Sequence, residues 1–189
     1  MKNLKTIAIA LLVAFGTVNA SAQEKKVDIK KSSIAWVGKK VTGQHDGTVS
    51  IKDGSLTFKK NKLTGGQFTV DMNTITVNDL KAGQGKEKLE GHLKADDFFG
   101  TDKFATATLI FRNVVEKSKG LYTVTGDLTI KGKTNPVIFD MKVTDNTASA
   151  DVKIDRTKYG IEYKSASIFS GLGDATIYDD FDLNVVLVY

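Results

Sequence analysis

The chain has 189 residues, of which 41% are hydrophobic and 26% charged, proportions that fit one globular domain and exclude a disordered or fibrous chain. It contains no cysteine, which excludes a disulfide-stapled scaffold and a lipid attached through a lipobox cysteine. The 27 basic and 22 acidic residues give a formal charge of +5, but they are interspersed and form no basic stripe, so we expect no nucleic-acid partner.

The first residues have the pattern of a secretory signal peptide. Two lysines lie among the first five residues, residues 7–18 are apolar, and residues 20–22, Ala-Ser-Ala, form a small-residue cleavage signal. The apolar run is shorter than the roughly 20 residues that a membrane-spanning helix needs. We therefore predict a signal peptide over 1–22, cleavage near Ala22, a mature domain over 23–189, and a periplasmic or secreted location.

Alternating apolar and polar residues predict strands along most of the remaining chain. A short edge strand is expected over residues 27–33, and Asp53 and Gly54 are expected to form a turn between two strands. The predicted strands turn the following residues to the inner face: Ile34 and Trp36; Val49 and Ile51; Leu56 and Phe58; Phe68, Val70 and Met72; Ala105, Ala107, Leu109 and Phe111; Tyr122, Val124, Gly126, Leu128 and Ile130; Val137, Phe139, Met141 and Val143; Ala148, Ala150, Val152 and Ile154; Phe181, Leu183, Val185, Leu187 and Tyr189.

Between residues 79 and 100 the apolar period changes to that of a helix. Leu89, His92, Leu93 and Asp96 follow the i, i+3, i+4 spacing of one helical face. We predict one short helix here, which covers an end of the sheet.

About eight strands at hairpin spacing, each with one apolar face, predict a mainly β fold, either an antiparallel up-and-down barrel or a sandwich. Several inward positions are small, namely Ala105, Ala107, Gly126, Ala148 and Ala150. They fit a hollow barrel, which at this strand number can hold one small ligand. They also fit a filled core in which bulky partners such as Trp36 and Phe139 occupy the space.

Gly132, Lys133 and Thr134 resemble the end of a phosphate-binding P-loop. Asp127 stands where that motif requires glycine, and the segment joins two predicted strands instead of a strand and a helix. We therefore interpret these residues as a hairpin turn.

Two histidines lie near carboxylates in the sequence: His45 beside Asp46, and His92 near Asp96 and Asp97. Such pairs can perform acid-base chemistry, but no motif places a serine beside either histidine to complete a triad. Hydrogen bonds that hold a turn or a core position are the simpler interpretation. We predict no catalytic residue, no metal site and no cofactor.

Arg156 continues the inward series of Val152 and Ile154. An unpaired charge in a barrel interior is costly, so the guanidinium needs a partner. That partner is either an internal carboxylate, which we favour, or a polar head group bound bidentately.

Five segments resemble, in order, the YceI-like family of secreted lipid-binding or polyisoprenoid-binding proteins: WVGKKVTGQHDGTVSIKDGSL, VDMNTI, KLEGHLKADDFF, GDLTIKGKTNPV and IDRTKYGI. The resemblance covers nearly all of the predicted mature chain. It implies an extended, lipocalin-like antiparallel barrel whose apolar tunnel holds a long isoprenoid or fatty-acyl molecule. It also matches residues that recur in the family without an assigned catalytic role, namely His45, Asp46, His92, Asp97, Phe98, Phe99, Asp155 and Arg156. Ala105 departs from the family, which usually has proline there.

We therefore predict a non-enzymatic protein that binds, transports or sequesters a long-chain apolar lipid in the barrel. The residues expected to contact the lipid are Trp36, Phe58, Phe68, Val70, Phe98, Phe99, Leu109, Phe111, Tyr122, Leu128, Phe139, Met141, Ile154 and Arg156. Transient membrane contact and a homodimer are compatible with this role. Two alternatives stay open: an envelope hydrolase or isomerase that uses a His–Asp pair, and a structural or stress-protective envelope protein without a ligand.

Overall fold

The computed structural model describes residues 21–189, so the signal peptide predicted for residues 1–22 lies almost wholly outside the described part. A helix, α1, covers Lys86–Lys94, and 3₁₀ helices cover Arg156–Tyr159 and Gly173–Ala175. The strands are Gln23–Lys26 (β1), Ser33–Lys40 (β2), Gly43–Lys59 (β3), Lys62–Val77 (β4), Thr106–Ser118 (β5), Leu121–Ile130 (β6), Lys133–Val143 (β7), Thr147–Asp155 (β8) and Ile177–Val188 (β9).

The strands form a closed antiparallel barrel. Their order in the sheet is β1-β3-β2-β9-β8-β7-β6-β5-β4, and a further pairing of β3 with β4 closes the ring. β1 lies beside the end of β3, with Gln23 opposite Phe58, and the ring itself consists of β2 to β9 in chain order. This topology confirms the up-and-down barrel and excludes the sandwich.

Two hairpins turn over a pair of residues with positive φ. Lys60 and Asn61 have φ of 51° and 61° between β3 and β4, and Lys131 and Gly132 have φ of 50° and 72° between β6 and β7. Two positive φ values define the type I′ turn, whose twist matches that of the flanking strands. The Gly-Lys-Thr sequence therefore lies at a hairpin, as expected.

The turn predicted at Asp53 and Gly54 is wrong. β3 runs through both residues, with a register shift against β4 between Ile51 and Asp53. Gly54 permits a close approach instead, because a Cβ there would lie 2.5 Å from Cδ1 of Phe68. The glycine therefore marks a tight cross-strand contact inside a continuous strand.

The edge strand predicted for residues 27–33 lies earlier in the chain, at β1. Asp28 ends it, because the carboxylate accepts the Lys30 N–H at 3.1 Å and holds a turn. Ala105 also departs from its predicted inward position. It is exposed and precedes β5, where its carbonyl accepts the Met72 N–H at 2.9 Å.

One half of the barrel, which we call the filled half, is packed with apolar side chains. The rings of Phe68 and Phe111 lie 5.7 Å apart, and those of Phe111 and Phe139 lie 6.0 Å apart. Small residues leave no room here, since a Cβ on Gly126 would lie 2.8 Å from Cδ1 of Leu109. The buried members are Val27, Ile34, Ile51, Leu56, Phe58, Leu63, Phe68, Phe111, Tyr122, Val124, Phe139, Met141, Ala148, Ala150 and Leu187.

A second buried cluster occupies the other half. It consists of Met72, Ile75, Val77, Leu93, Ala107, Ile130, Ile154, Tyr159 and Ile161. Leu93 comes from α1, and the carboxylate of Glu90, also in α1, accepts the Val77 N–H at 2.9 Å. The helix therefore covers this end of the barrel, as predicted. Within the described residues, no helix has the length and apolar character that crossing a membrane requires.

Gly47 and Gly91 provide a matched test of this packing. A Cβ on Gly47 would lie 1.8 Å from the Thr76 carbonyl oxygen and 2.6 Å from the Trp36 ring, whereas one on Gly91 in α1 meets nothing within 4 Å. We expect Gly47→Ala to lower the free energy of unfolding by about 1–3 kcal/mol through overpacking. Gly91→Ala should raise it by about 0.5–1 kcal/mol because alanine favours the helix. Urea denaturation measures both, and an unchanged midpoint for Gly47→Ala would contradict the packing.

Candidate functional site

A cavity of about 150 Å³ lies in the half of the barrel that α1 covers. Most of its wall is hydrocarbon: Ile34, Trp36, Val49, Val70, Met72, Ile75, Leu93, Phe98, Phe99, Ala107, Leu128, Ile130, Ile177, Phe181 and Leu183. The rest of the lining is Gly38, Lys39, Arg156, Tyr178 and Asp180. Tyr178 is 52% exposed, which places the mouth near the start of β9. The hollow and the filled interpretations of the sequence therefore each hold for one half of the barrel.

The size of the cavity limits what it can hold as it stands. An apolar cavity of about this volume can stay dry and admit a benzene ring, whereas sites for drug-sized ligands have roughly 300–1,000 Å³. Each methylene group that a ligand buries contributes about 0.8 kcal/mol. The cavity therefore suits a short apolar segment, such as a ring or a few carbons of a chain.

Phe98 and Phe99 reach the cavity from a tight turn that follows α1. The Phe98 N–H donates to the Ala95 carbonyl at 3.0 Å, and the Phe99 N–H donates to the Leu93 carbonyl at 3.1 Å. The two rings lie 5.5 Å apart, and the Phe99 ring lies 6.3 Å from that of Phe181. These edge-to-face contacts hold both aromatic side chains in the cavity wall.

Arg156 is only 2% exposed, and backbone carbonyls hold its guanidinium. Nε donates to Tyr178 at 3.1 Å, Nη1 to Ile161 at 2.7 Å, and Nη2 to Ile177 at 3.0 Å. Nη2 also lies 3.5 Å from Oδ1 of Asp179, which supplies the opposite charge. Arg156 therefore has internal partners and fastens the 3₁₀ helix that it begins to the start of β9.

Asp179 completes this network. Its Oδ2 accepts the hydroxyl of Ser167 at 2.6 Å, and the Ser167 hydroxyl lies 2.9 Å from that of Ser165. Burial acts to raise the pKa of Asp179, but the serine hydroxyls and the charge of Arg156 outweigh it and hold the pKa below its usual value. Asp179 is therefore ionised at neutral pH, as a partner for Arg156 requires.

Both histidines bind carboxylates outside the cavity lining. Nδ1 of His45 lies 2.7 Å from Oδ2 of Asp79, and Oδ1 of Asp79 accepts the Asp46 N–H at 3.1 Å. The partner of His45 is therefore Asp79, not the adjacent Asp46. Nε2 of His92 lies 3.2 Å from Oδ2 of Asp97. These contacts fit the hydrogen-bonding role that the sequence suggests for the two histidines.

The residues predicted to contact a lipid fall into three groups in the structure. The cavity lining contains Trp36, Val70, Phe98, Phe99, Leu128 and Arg156. The filled half, or the layer packed against it, contains Phe58, Phe68, Leu109, Phe111, Tyr122, Phe139 and Met141. Ile154 is buried in the second cluster without lining the cavity. Ligand contact stays a prediction for all of them, and a chain that reached the second group would have to displace existing packing.

Several lining residues are absent from the set assigned from the sequence. Ile34, Met72, Phe181 and Leu183 belong to inner faces that the alternation identifies, but the alternation does not say where along the barrel each residue lies. That position depends on how neighbouring strands are staggered. Leu93 could be found from the helical spacing, which already places it on the apolar face of α1.

Comparison with known proteins identifies the family. Residues 26–189 match the profile of the YceI-like domain. A YceI protein of Salmonella arizonae is 32% identical over 148 residues, which cover 75% of this chain and 72% of that protein. The chain therefore belongs to the YceI-like family. It spans 42% of a UPF0312 protein of Shewanella denitrificans and 61% of one of Staphylococcus aureus, each at 36% identity.

Solved structures show the same fold at lower identity. BcnA of Burkholderia cenocepacia superposes with a TM-score of 0.69 at 23% identity, over 86% of this chain and 99% of BcnA. A polyisoprenoid binding domain from Saccharophagus degradans gives 0.58 at 16% identity, over 86% and 95% of the two chains. The Campylobacter jejuni YCEI protein gives 0.53 at 18% identity, over 97% and 87%. These likenesses support the barrel fold.

The Asp179 network predicts a loss of stability in acid. Because folding lowers the pKa of Asp179, its ionised form stabilises the fold at neutral pH, and this contribution is lost as the pH falls below about 4 through the folded pKa. Asp179→Asn should therefore destabilise the protein at pH 7, and its difference from wild type should shrink at pH 3. Urea denaturation at both pH values measures the effect, with the exposed Asp102→Asn as control. A difference that does not shrink would contradict the assignment.

Proposed function

We propose that this chain binds the apolar part of a lipid, of isoprenoid or fatty-acyl type, and carries or sequesters it without chemical change. The observation that carries the proposal is the cavity wall, in which hydrocarbon side chains from β2, β3, β4, β5, β6 and β9 surround an unfilled space. Transfer of apolar surface from water into such a space is favourable by about 25 cal/mol per Å².

Pairing of the charged groups around the cavity favours an apolar ligand over an anion. Nζ of Lys39 lies 2.7 Å from Oδ2 of Asp182, and Oδ1 of Asp182 accepts Lys153 at 2.9 Å. Arg156 donates to three carbonyls and faces Asp179. An anionic head group would meet cations whose charge Asp182 and Asp179 already balance. Binding energy is therefore expected to come chiefly from apolar contact, with polar groups at the mouth selecting the end of the ligand.

Two further observations support this class of ligand. The Saccharophagus degradans domain, whose barrel resembles this one, is a polyisoprenoid binding domain. The pattern of residues 1–22 supports export to the periplasm or the exterior, where a free apolar lipid is poorly soluble in water. A protein with a dry cavity would shield such a lipid from water there.

Filling the cavity should abolish binding. Ala107 is 6% exposed and lines the cavity, so the ring of Ala107→Phe would occupy it. We expect the affinity for butylbenzene, measured by isothermal titration calorimetry, to fall at least about tenfold, because ligand and side chain compete for a space of one ring. Ala105→Phe, at an exposed position, is the matched control and should bind as wild type does.

Thermal unfolding of each variant checks that the fold is retained. Equal affinity of wild type and a folded Ala107→Phe would overturn the proposal, as would a wild-type protein, freed of lipid, that binds no butylbenzene.

A further inference from the structure

The ladder between β7 and β8 is the shortest around the barrel. Lys142 pairs with Ser149 and Val143 with Ala148, and the pairing ends there. On its other side, β7 pairs with β6 along its whole length down to Lys133, and β8 pairs with β9 over its whole length. We call the unpaired part, residues 133–141 of β7 and 150–155 of β8, the seam.

Pro136 accounts for part of this separation. Ile130 and Lys133 flank a two-residue turn and so form a hydrogen-bonded pair of β6 and β7. Because hydrogen-bonded and non-hydrogen-bonded pairs alternate, Pro136 belongs to a non-hydrogen-bonded pair, and its backbone nitrogen points away from β6. This nitrogen faces β8, and proline has no N–H to donate there. The one proline of the chain therefore lies where it weakens the β7–β8 ladder.

Like charges account for a second position in the seam. If the register of the two paired positions continued, Asp140 would lie opposite Asp151. Such an arrangement destabilises a sheet. Each carboxylate instead binds a residue on a strand beyond the seam: Asp140 accepts Lys117 at 2.8 Å, and Asp151 accepts Asn184 at 2.7 Å.

The seam lies where the two halves of the barrel meet. Val137 of β7 and Val152 of β8 are half-buried, and each packs against both the filled half and the second buried cluster. The neighbouring Ile138 is 70% exposed, the largest exposure among the large apolar residues of the described chain. Separation of β7 from β8 at these residues would move apolar side chains apart and break no ladder hydrogen bond between the two strands.

We propose that β7 and β8 separate at the seam and so lengthen the cavity toward the filled half. The barrel could then accept an apolar chain that is too large for the cavity of about 150 Å³. The inference rests on the proposed function and adds to it the part of the wall that moves. Between most other neighbouring strands, widening would break a longer hydrogen-bonded ladder. β4 and β5 also part beyond Gln67 and Ile110, but Lys62 and Glu116 form an ion pair across that gap. At the seam, the methylene groups of the ligand replace side-chain contacts of the same apolar kind.

A cross-link across the seam tests this. The chain has no cysteine, so Asp140→Cys with Asp151→Cys can be bridged by a short bifunctional thiol reagent without competing sites. Thr125→Cys with Ile138→Cys, bridged in the same way, is the matched control, because it joins β7 to a strand with which it already pairs. Each protein is titrated with butylbenzene, which fits the cavity, and with geranylgeraniol, which exceeds it.

We expect the seam bridge to lower the affinity for geranylgeraniol at least about tenfold, because a few methylene groups of the ligand lose their contacts. The affinity for butylbenzene should stay unchanged. The control bridge should leave both affinities unchanged. Unchanged geranylgeraniol affinity in the bridged seam variant would overturn the inference, and so would an unmodified protein that binds butylbenzene but no geranylgeraniol; either result leaves the proposed function standing. Loss of butylbenzene binding in the unmodified protein would overturn both.

A variant without a cross-linker provides an independent measurement. Pro136→Thr with Asp151→Lys restores a backbone donor and sets opposite charges across the seam. Hydrogen exchange at the Asp140 amide should slow as the ladder extends, and geranylgeraniol affinity should fall while butylbenzene affinity stays. A slower exchange with undiminished geranylgeraniol affinity would overturn the inference.

Discussion

The pairing of β9 with β2 is the constraint on which the rest of the structure depends. It runs in register from Ser33 opposite Val186 to Gly38 opposite Phe181 and joins the last strand of the barrel to the first. Without it, both strands would be open edges with unpaired backbone groups. The same pairing places Trp36 opposite Leu183, and both residues line the cavity. The site therefore exists only in the closed barrel.

The two ends of this closed barrel meet different physical requirements. In the filled half, interlocked aromatic rings and the close approach of Leu109 to Gly126 produce the density of an ordinary core. At the other end, polar contacts join the segments around the mouth of the cavity, and the space inside stays unfilled. Arg156 binds the carbonyls that begin β9, and Asp179, which accepts the Ser167 hydroxyl, balances its charge. This network at the rim holds the 3₁₀ helix of residues 156–159 to the start of β9, while most of the cavity wall is hydrocarbon.

Alternation in the sequence was sufficient to predict most of the strands and the short helix, because periods of 2 and 3.6 are local properties of the chain. It left a barrel and a sandwich open, and the family resemblance implied the barrel. It failed where a distant residue decides the outcome. Gly54 suggests a turn in the sequence, but in the structure the Phe68 ring packs against it. Gly126 suggests open space in the barrel, but the Leu109 side chain occupies that space. The sequence identified only part of the candidate site, because the position of a residue along the barrel also depends on distant residues. Side-chain parity identifies inward residues such as Phe68 and Trp36 alike, but only the stagger of the strands puts the first in the filled half and the second in the cavity wall.

The space beneath Phe98 and Phe99 is the lipid site that we propose. The most direct measurement is organic extraction of the protein purified from the cells that export it, followed by mass spectrometry of the extract. We expect an apolar lipid with an isoprenoid or fatty-acyl chain at close to one molecule per barrel. An extract with no more lipid than one from a protein whose cavity is filled at Ala107 would contradict it.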